Sequence, residues 1–139
     1  MIDKSGSAKW SGGLKDGTGE VSTQSGILSG ENYSFAKRFG DQAGTNPEEL
    51  LGAAHAACYS MALSNVLGEA GMTAESIETT ATVSLDPSQG AITKVHLDLT
   101  ARIPGADETK FLEAANGAKA GCPVSKLFNA EITLDAKLA

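Results

Sequence analysis

Positive charge is in short supply in this chain. Eleven Lys and Arg stand against 17 Asp and Glu, for a net charge of −6, and the only arginines are Arg38 and Arg102. That balance argues against nucleic acid as a partner, since no basic patch is there to meet phosphates. Aromatic residues make up only 5% of the chain, so its core must be largely aliphatic. No uninterrupted apolar run approaches ~18 residues, the length of a membrane span, and no membrane partner is expected. The opening MIDKSGSAKW is polar and lacks a signal-peptide core, so a cytoplasmic protein is expected. Repeats, low-complexity tracts and linkers are absent, which fits 139 residues forming one domain, 1–139. Only two cysteines and two histidines are present. In a reducing compartment a structural disulfide is not expected, which leaves the cysteine pair inert, catalytic or metal-binding. Zinc takes three or four protein ligands, so neither a metal nor a cofactor is expected here. Glycine spacings lack the Lys-Ser/Thr of a phosphate-binding loop.

What is present centres on residues 44–71, GTNPEELLGAAHAACYSMALSNVLGEAG. Asn46 suits an N-cap, Pro47 the first helical position, and Glu48 and Glu49 put acids in the first turn. Gly68 and Gly71 supply a stop. Between them the chain is rich in Ala, Leu and Met and nearly uncharged from Leu50 to Leu67, as for a helix buried on most of its faces. Cys58 sits in its middle among Ala54, Ala56, Ala57 and Ala62, whose small side chains allow close approach. Cys122 lies far downstream in AGCPVS, hinged by Gly121 and Pro123 and placed to N-cap a short turn.

The flanking chain reads as α+β. SAKWSG and EVSTQSGIL are strand-like around the turn GGLKDGTG, and YSFAKRF alternates as a further strand after SGEN. Residues 76–87 alternate with Ile77, Thr79, Ala81, Val83 and Leu85 inward. Residues 91–103 follow through the hairpin turn PSQG. A second helix is expected over 107–120, with Asp107 as N-cap and Phe111, Leu112, Ala115 and Ala118 toward the core. GCP ends it, VSKLF adds a turn, and AEITLDAKL makes a last strand.

Cysteine chemistry needs the thiolate, which burial disfavours, so Cys58 in mid-helix needs a cation brought from elsewhere. Arg38, just before the helix, is the candidate, with Glu48 or Glu49 to hold its guanidinium. Glu48 precedes Cys58 by ten residues, ~15 Å along a helix, which is too far for direct contact. Two such helices antiparallel in a homodimer would bring Glu48 of one subunit to Cys58 of the other. A nucleophilic thiol with a second, mobile thiol, as Cys122 reads here, is the layout of a peroxidatic and resolving pair. Inert packing remains open beside it. His55 shares a helical face with Cys58, which admits a Cys–His nucleophile, although His55 reads chiefly as a packing residue.

GTNPEELLGAAHAACYSMAL, AITKVHLDLTARIPG and KAGCPVSKLFNAEITL, with AKWSG and the GxVST string at 19–23, resemble the osmotically inducible protein C (OsmC) family over essentially the whole chain. The sister organic hydroperoxide resistance (Ohr) group carries its arginine in an early glycine-rich hairpin, where this chain has LKDGTG. The OsmC group takes it from the segment before the helix, here Arg38 in FAKRFG. The resemblance implies an intertwined homodimer in which β-sheets wrap a long central helix, and a thiol peroxidase acting on organic hydroperoxides. It implies Cys58 as peroxidatic cysteine, Cys122 as resolving cysteine, Arg38 as activator, Glu48 as the carboxylate orienting it, and an external dithiol, of lipoyl type, as reductant. His55 takes no role from it. The competing expectation is a non-catalytic dimer that binds a hydrophobic small molecule, and a weaker one is a thiol hydrolase using Cys58 and His55.

Overall fold

The structure, a computed structural model, describes residues 1–139. It divides into two compact units, Met1–Leu50 and Leu51–Ala139.

In the first unit, β1 (Gly6–Ser11), β2 (Thr18–Thr23) and β3 (Glu31–Tyr33) form an antiparallel sheet in that order. The expected strand YSFAKRF is cut short at Tyr33. Ser34 Oγ accepts a hydrogen bond from Lys37 N at 3.3 Å and caps a one-turn helix α1, Phe35–Phe39. A serine hydroxyl that satisfies a free N–H favours helix entry over strand continuation. Helical spacing then stacks Phe35 on Phe39, ring centroids 4.9 Å apart, where a strand would have put Lys37 between them. Gly19 is the one fully buried residue of this unit, pressed under the rings of Trp10 and Tyr33. A 50-residue unit with so little buried surface has almost no core of its own.

Helix α2 (Pro47–Glu69) begins at the end of this unit and runs on into the second. Asn46 Oδ1 accepts from Glu49 N at 2.8 Å, the N-cap anticipated from sequence. At the far end Gly71 adopts φ +78 and Met72 N bonds Leu67 O at 2.8 Å, so a left-handed residue closes the last turn. At 23 residues α2 is long and apolar enough to cross a membrane, contrary to the expectation that no segment qualifies. Between Leu50 and Leu67 its interruptions, among them His55, Ser60, Ser64 and Asn65, are polar but uncharged, and its glutamates lie at the two ends. The helix also departs from burial on most faces. Gly52, His55, Tyr59, Leu63 and Leu67 form a single buried stripe, while Ala54, Ala57 and Met61 form an exposed one at the same helical spacing.

That buried stripe packs in the second unit against β4 (Ser76–Asp86), β5 (Ala91–Arg102), α3 (Glu108–Gly121), α4 (Pro123–Leu127) and β6 (Glu131–Leu138). β4 and β5 are the expected antiparallel hairpin, with a register shift at Ser84/Leu85. β6 lies parallel to β5, and α3–α4 provide the crossover that a parallel pair requires. Val95, Leu97, Leu99 and Ala101 turn the inner face of β5 into core. Asp107 Oδ1 accepts from Lys110 N at 3.0 Å to start α3. That helix buries Phe111, Ala114, Ala115 and Ala118. Leu112, expected inside, is 40% exposed, because the stripe through Phe111 and Ala118 runs through Ala114 instead. Tyr59 Oη donates to Ala115 O at 2.9 Å, fastening α2 to α3. The α+β class agrees with the sequence reading, and so does the order of elements apart from α1.

Candidate active site

Two constellations emerge, one in each unit. In the second, Cys58 from mid-α2 meets Cys122, the residue that closes α3 and opens α4. Their sulfurs lie 3.0 Å apart, with Cys122 Sγ–H directed at Cys58 Sγ, and both cysteines are free. A disulfide would need a further approach of about 1 Å. The expected burial is reversed. Cys122, read as a hinged and mobile thiol, is fully buried, and Cys58, read as buried, is partly exposed. Pro123 at the first position of α4 and the Cys122 N–H bond to Ala118 O at 2.9 Å tie the junction between the two helices. Cys58 therefore faces the accessible side while its partner waits behind it.

Cys58 is pushed above its ordinary thiol value by burial first and by the hydrogen bond with Cys122 second, and a backbone N–H from Val124 pulls partly the other way. Burial raises the Tyr59 phenol too, with Cys122 adding to it, so Tyr59 stays a proton donor to Ala115 O. Within this unit the thiol is thus held mainly protonated at neutral pH. Nucleophilic use of Cys58 calls for added positive charge.

The first unit holds a cation paired with a carboxylate. Arg38 Nε reaches both carboxylate oxygens of Glu48 at 3.1 Å, and its Nη2 bonds Oε1 at 2.7 Å. Of the two glutamates left open by the sequence, Glu48 is the partner. This bond and its Coulomb attraction outweigh desolvation and raise Arg38 above its ordinary value. Arg38 projects from α1 rather than from a strand end, and its guanidinium also lies 5.2 Å from the Phe39 ring centroid. Asn46 stabilises the arrangement twice, capping α2 through Oδ1 and donating from Nδ2 to Lys37 O at 3.2 Å. Arg38 edges a pocket of about 290 Å³ lined by Trp10, Leu14, Tyr33, Phe35 and Phe39. Four of the chain's seven aromatic residues converge there.

His55 is fully buried, and its Nε2 lies 2.7 Å from Ser125 Oγ. No hydrogen bond joins it to Cys58, which removes the geometric basis for a Cys–His hydrolase. Ser125 escaped the sequence reading, yet it follows Cys122 by three residues as His55 precedes Cys58 by three. Elsewhere, His96 Nε2 lies 3.4 Å from Asp98 and 3.2 Å from Asp135 on the outward face of β5 and β6. Their ligand atoms fall within 4.8 Å of one another, a spacing that a divalent ion could accept. All three groups reach solvent, and an imidazole between two carboxylates is equally an ordinary surface cluster.

Comparison with known proteins covers most of the chain. The profile of OsmC-like proteins matches residues 40–137. The chain is 55% identical to peroxiredoxin OsmC of Escherichia coli (strain K12) over 139 residues, 99% of this chain and 97% of that protein. It is 31% identical to organic hydroperoxide resistance protein OhrB of Bacillus subtilis (strain 168) over 122 residues, 86% of this chain and 89% of that one. The crystal structure of an organic hydroperoxide resistance protein OsmC from Legionella pneumophila superposes with a TM-score of 0.66 at 26% identity, covering 97% of this chain and 96% of that one. A match over most of the chain, together with a relative 55% identical along nearly all of it, places this protein in the OsmC-like family.

Proposed function

We propose that this chain is a thiol-dependent peroxidase that reduces organic hydroperoxides to alcohols, with Cys58 as nucleophile and Cys122 as resolving thiol. The observation that carries the reading is the 3.0 Å approach of two free sulfurs that lie 64 residues apart in sequence. The Cys58 thiolate attacks one peroxide oxygen and the O–O bond breaks. The alkoxide takes a proton and leaves as alcohol, while Cys58 becomes a sulfenic acid. Cys122 sulfur then attacks Cys58 sulfur, the S–O bond breaks, and water departs with the thiol proton. An external dithiol, of lipoyl type, reduces the disulfide by two electrons and restores both thiols.

Arg38, held by Glu48, is the cation that stabilises the Cys58 thiolate and polarises the peroxide. The aromatic pocket beside Arg38 supports a substrate with an apolar body, since rings recognise an alkyl or aryl group and have nothing to pair with the second hydroxyl of hydrogen peroxide. Arg38 and Glu48 act on the partner's Cys58 in a homodimer, and the whole chain works as one OsmC-like domain within it. Two features support that assembly. The first unit has almost no core of its own, and α2 presents the uncovered apolar stripe of Ala54, Ala57 and Met61, with Met61 79% exposed. A dimer in the cytoplasm would cover both.

Replacing Cys122 tests the assignment. With Cys122→Ser, one equivalent of cumene hydroperoxide should still yield one equivalent of alcohol, after which Cys58 stalls or over-oxidises and turnover with a dithiol collapses. A variant that turns over at the wild-type rate would contradict the resolving role. A wild-type protein that binds the hydroperoxide without consuming it would favour a binding dimer instead.

A further inference from the structure

His55 is a buried titratable group that the proposed chemistry leaves unused. Its Nε2 bonds Ser125 Oγ at 2.7 Å, its ring meets Phe128 edge-on at 5.3 Å between centroids, and its Nδ1 has no partner. A buried nitrogen without a partner costs stability that an apolar side chain at this position would not. The imidazole therefore earns its place through Nε2.

Where that bond lies gives it a task. On α2, His55 stands three residues before Cys58, and on the α4 side Ser125 stands three residues after Cys122. Residues three apart share a helical face. The contacts Cys58···Cys122 and His55···Ser125 are thus neighbouring rungs between the same two stretches of chain, offset in opposite directions as in antiparallel segments. Cys122 as N-cap of α4 makes no side-chain capping bond, so its own side chain does not anchor the helix. The second rung does.

We propose that the His55–Ser125 hydrogen bond is a positioning clamp for the resolving step. It seats α4 on α2 so that Cys122 meets the Cys58 sulfenic acid before a second hydroperoxide does. The inference rests on the reading of Cys122 as the resolving thiol. In the clamped path Cys58–SOH and Cys122–SH give the disulfide and one water. In the competing path a second hydroperoxide transfers an oxygen to Cys58–SOH, which leaves a sulfinic acid and an alcohol. His55 and Ser125 touch neither reacting oxygen. They set the ratio of the two paths.

The test is a titration of fully reduced protein with increasing cumene hydroperoxide, with disulfide and sulfinic acid at Cys58 resolved by intact mass and peptide mapping. His55→Leu and Ser125→Ala should reach half sulfinic acid at about fivefold lower hydroperoxide than wild type, the factor equivalent to one hydrogen bond. His55→Gln, whose amide nitrogen can take the place of Nε2, should return toward wild type. A purely structural histidine would lower the melting temperature without moving this ratio. Ser125→Ala removes a single oxygen from a short helix, so the test holds even if His55→Leu fails to fold. A half-oxidation dose equal to wild type in Ser125→Ala, with the disulfide still forming, would overturn the clamp. A wild-type protein that itself forms no Cys58–Cys122 disulfide would overturn the resolving role and the clamp with it, and the wild-type trace tells these two failures apart.

Discussion

Replacing Arg38 with Met should remove the charge proposed to activate Cys58 while keeping an unbranched side chain against Phe39. Burial and the Cys122 bond hold the thiol above its ordinary 9.0. At pH 7 a thiol of that kind is at most about 1% thiolate. If Arg38 brings Cys58 to full ionisation at neutral pH, its loss should slow the first oxidation at least roughly 100-fold. Stability should change little, because Arg38 is 37% exposed and such pairs contribute about 0.2–1 kcal/mol. The assay is alkylation of reduced Cys58 by iodoacetamide across a pH series, in a Cys122→Ser background so that one thiol reports. With Arg38 the rate should already be at its plateau at neutral pH, and in Arg38→Met it should climb through the alkaline range. Raising the pH should then restore peroxide consumption to the variant. An unchanged alkylation profile in a folded Arg38→Met protein would refute the reasoning, and some other group would have to ionise Cys58.

Tyr59→Phe deletes the donor to Ala115 O, a carbonyl that sits in mid-α3, with an expected loss of about 0.5–1.5 kcal/mol and a melting temperature lower by a few degrees. An unchanged melt would mean that water replaces the phenol there. Burial lowers His55 below its ordinary 6.5, so between its folded value and 6.5 the unfolded chain binds the extra proton. The stability this confers is complete above 6.5 and is lost as pH falls toward the folded value, with a slope of at most about 1.4 kcal/mol per pH unit. Urea unfolding midpoints between pH 7.5 and 5 should therefore fall more steeply in wild type than in His55→Gln, which carries no proton to gain. Parallel profiles would show that His55 does not titrate in this range.

Much of α2 and of the second unit could be read from residue patterns alone. The cap at Asn46, the stop at Gly71, the alternation through residues 76–103 and the break at Gly121–Pro123 are local signals, and each produced the element it suggests. The first unit was harder, because Ser34 can end a strand as readily as it can cap a helix, and only the bond to Lys37 N decides. The meeting of Cys58 with Cys122 could not be deduced from spacing, since 64 residues and a crossover separate them, and it was legible only through resemblance to a family. The reversed burial of the two cysteines illustrates the same limit. Apolar neighbours in sequence made Cys58 look buried and glycine made Cys122 look mobile, whereas the packing of α4 against α2 determines both. The choice of Glu48 over Glu49 follows from helix phase, which places Glu48 toward α1, 12% exposed as Arg38 binds it.

The central claim is that Cys58 and Cys122 form a redox pair, and the most direct test is the intact mass of the reduced protein after one equivalent of cumene hydroperoxide. The account predicts a loss of two hydrogens that maps to a Cys58–Cys122 disulfide, with an equal amount of alcohol released. An unchanged mass with both thiols still titratable, or a single oxygen that persists on Cys58 while Cys122 stays reduced, would contradict it.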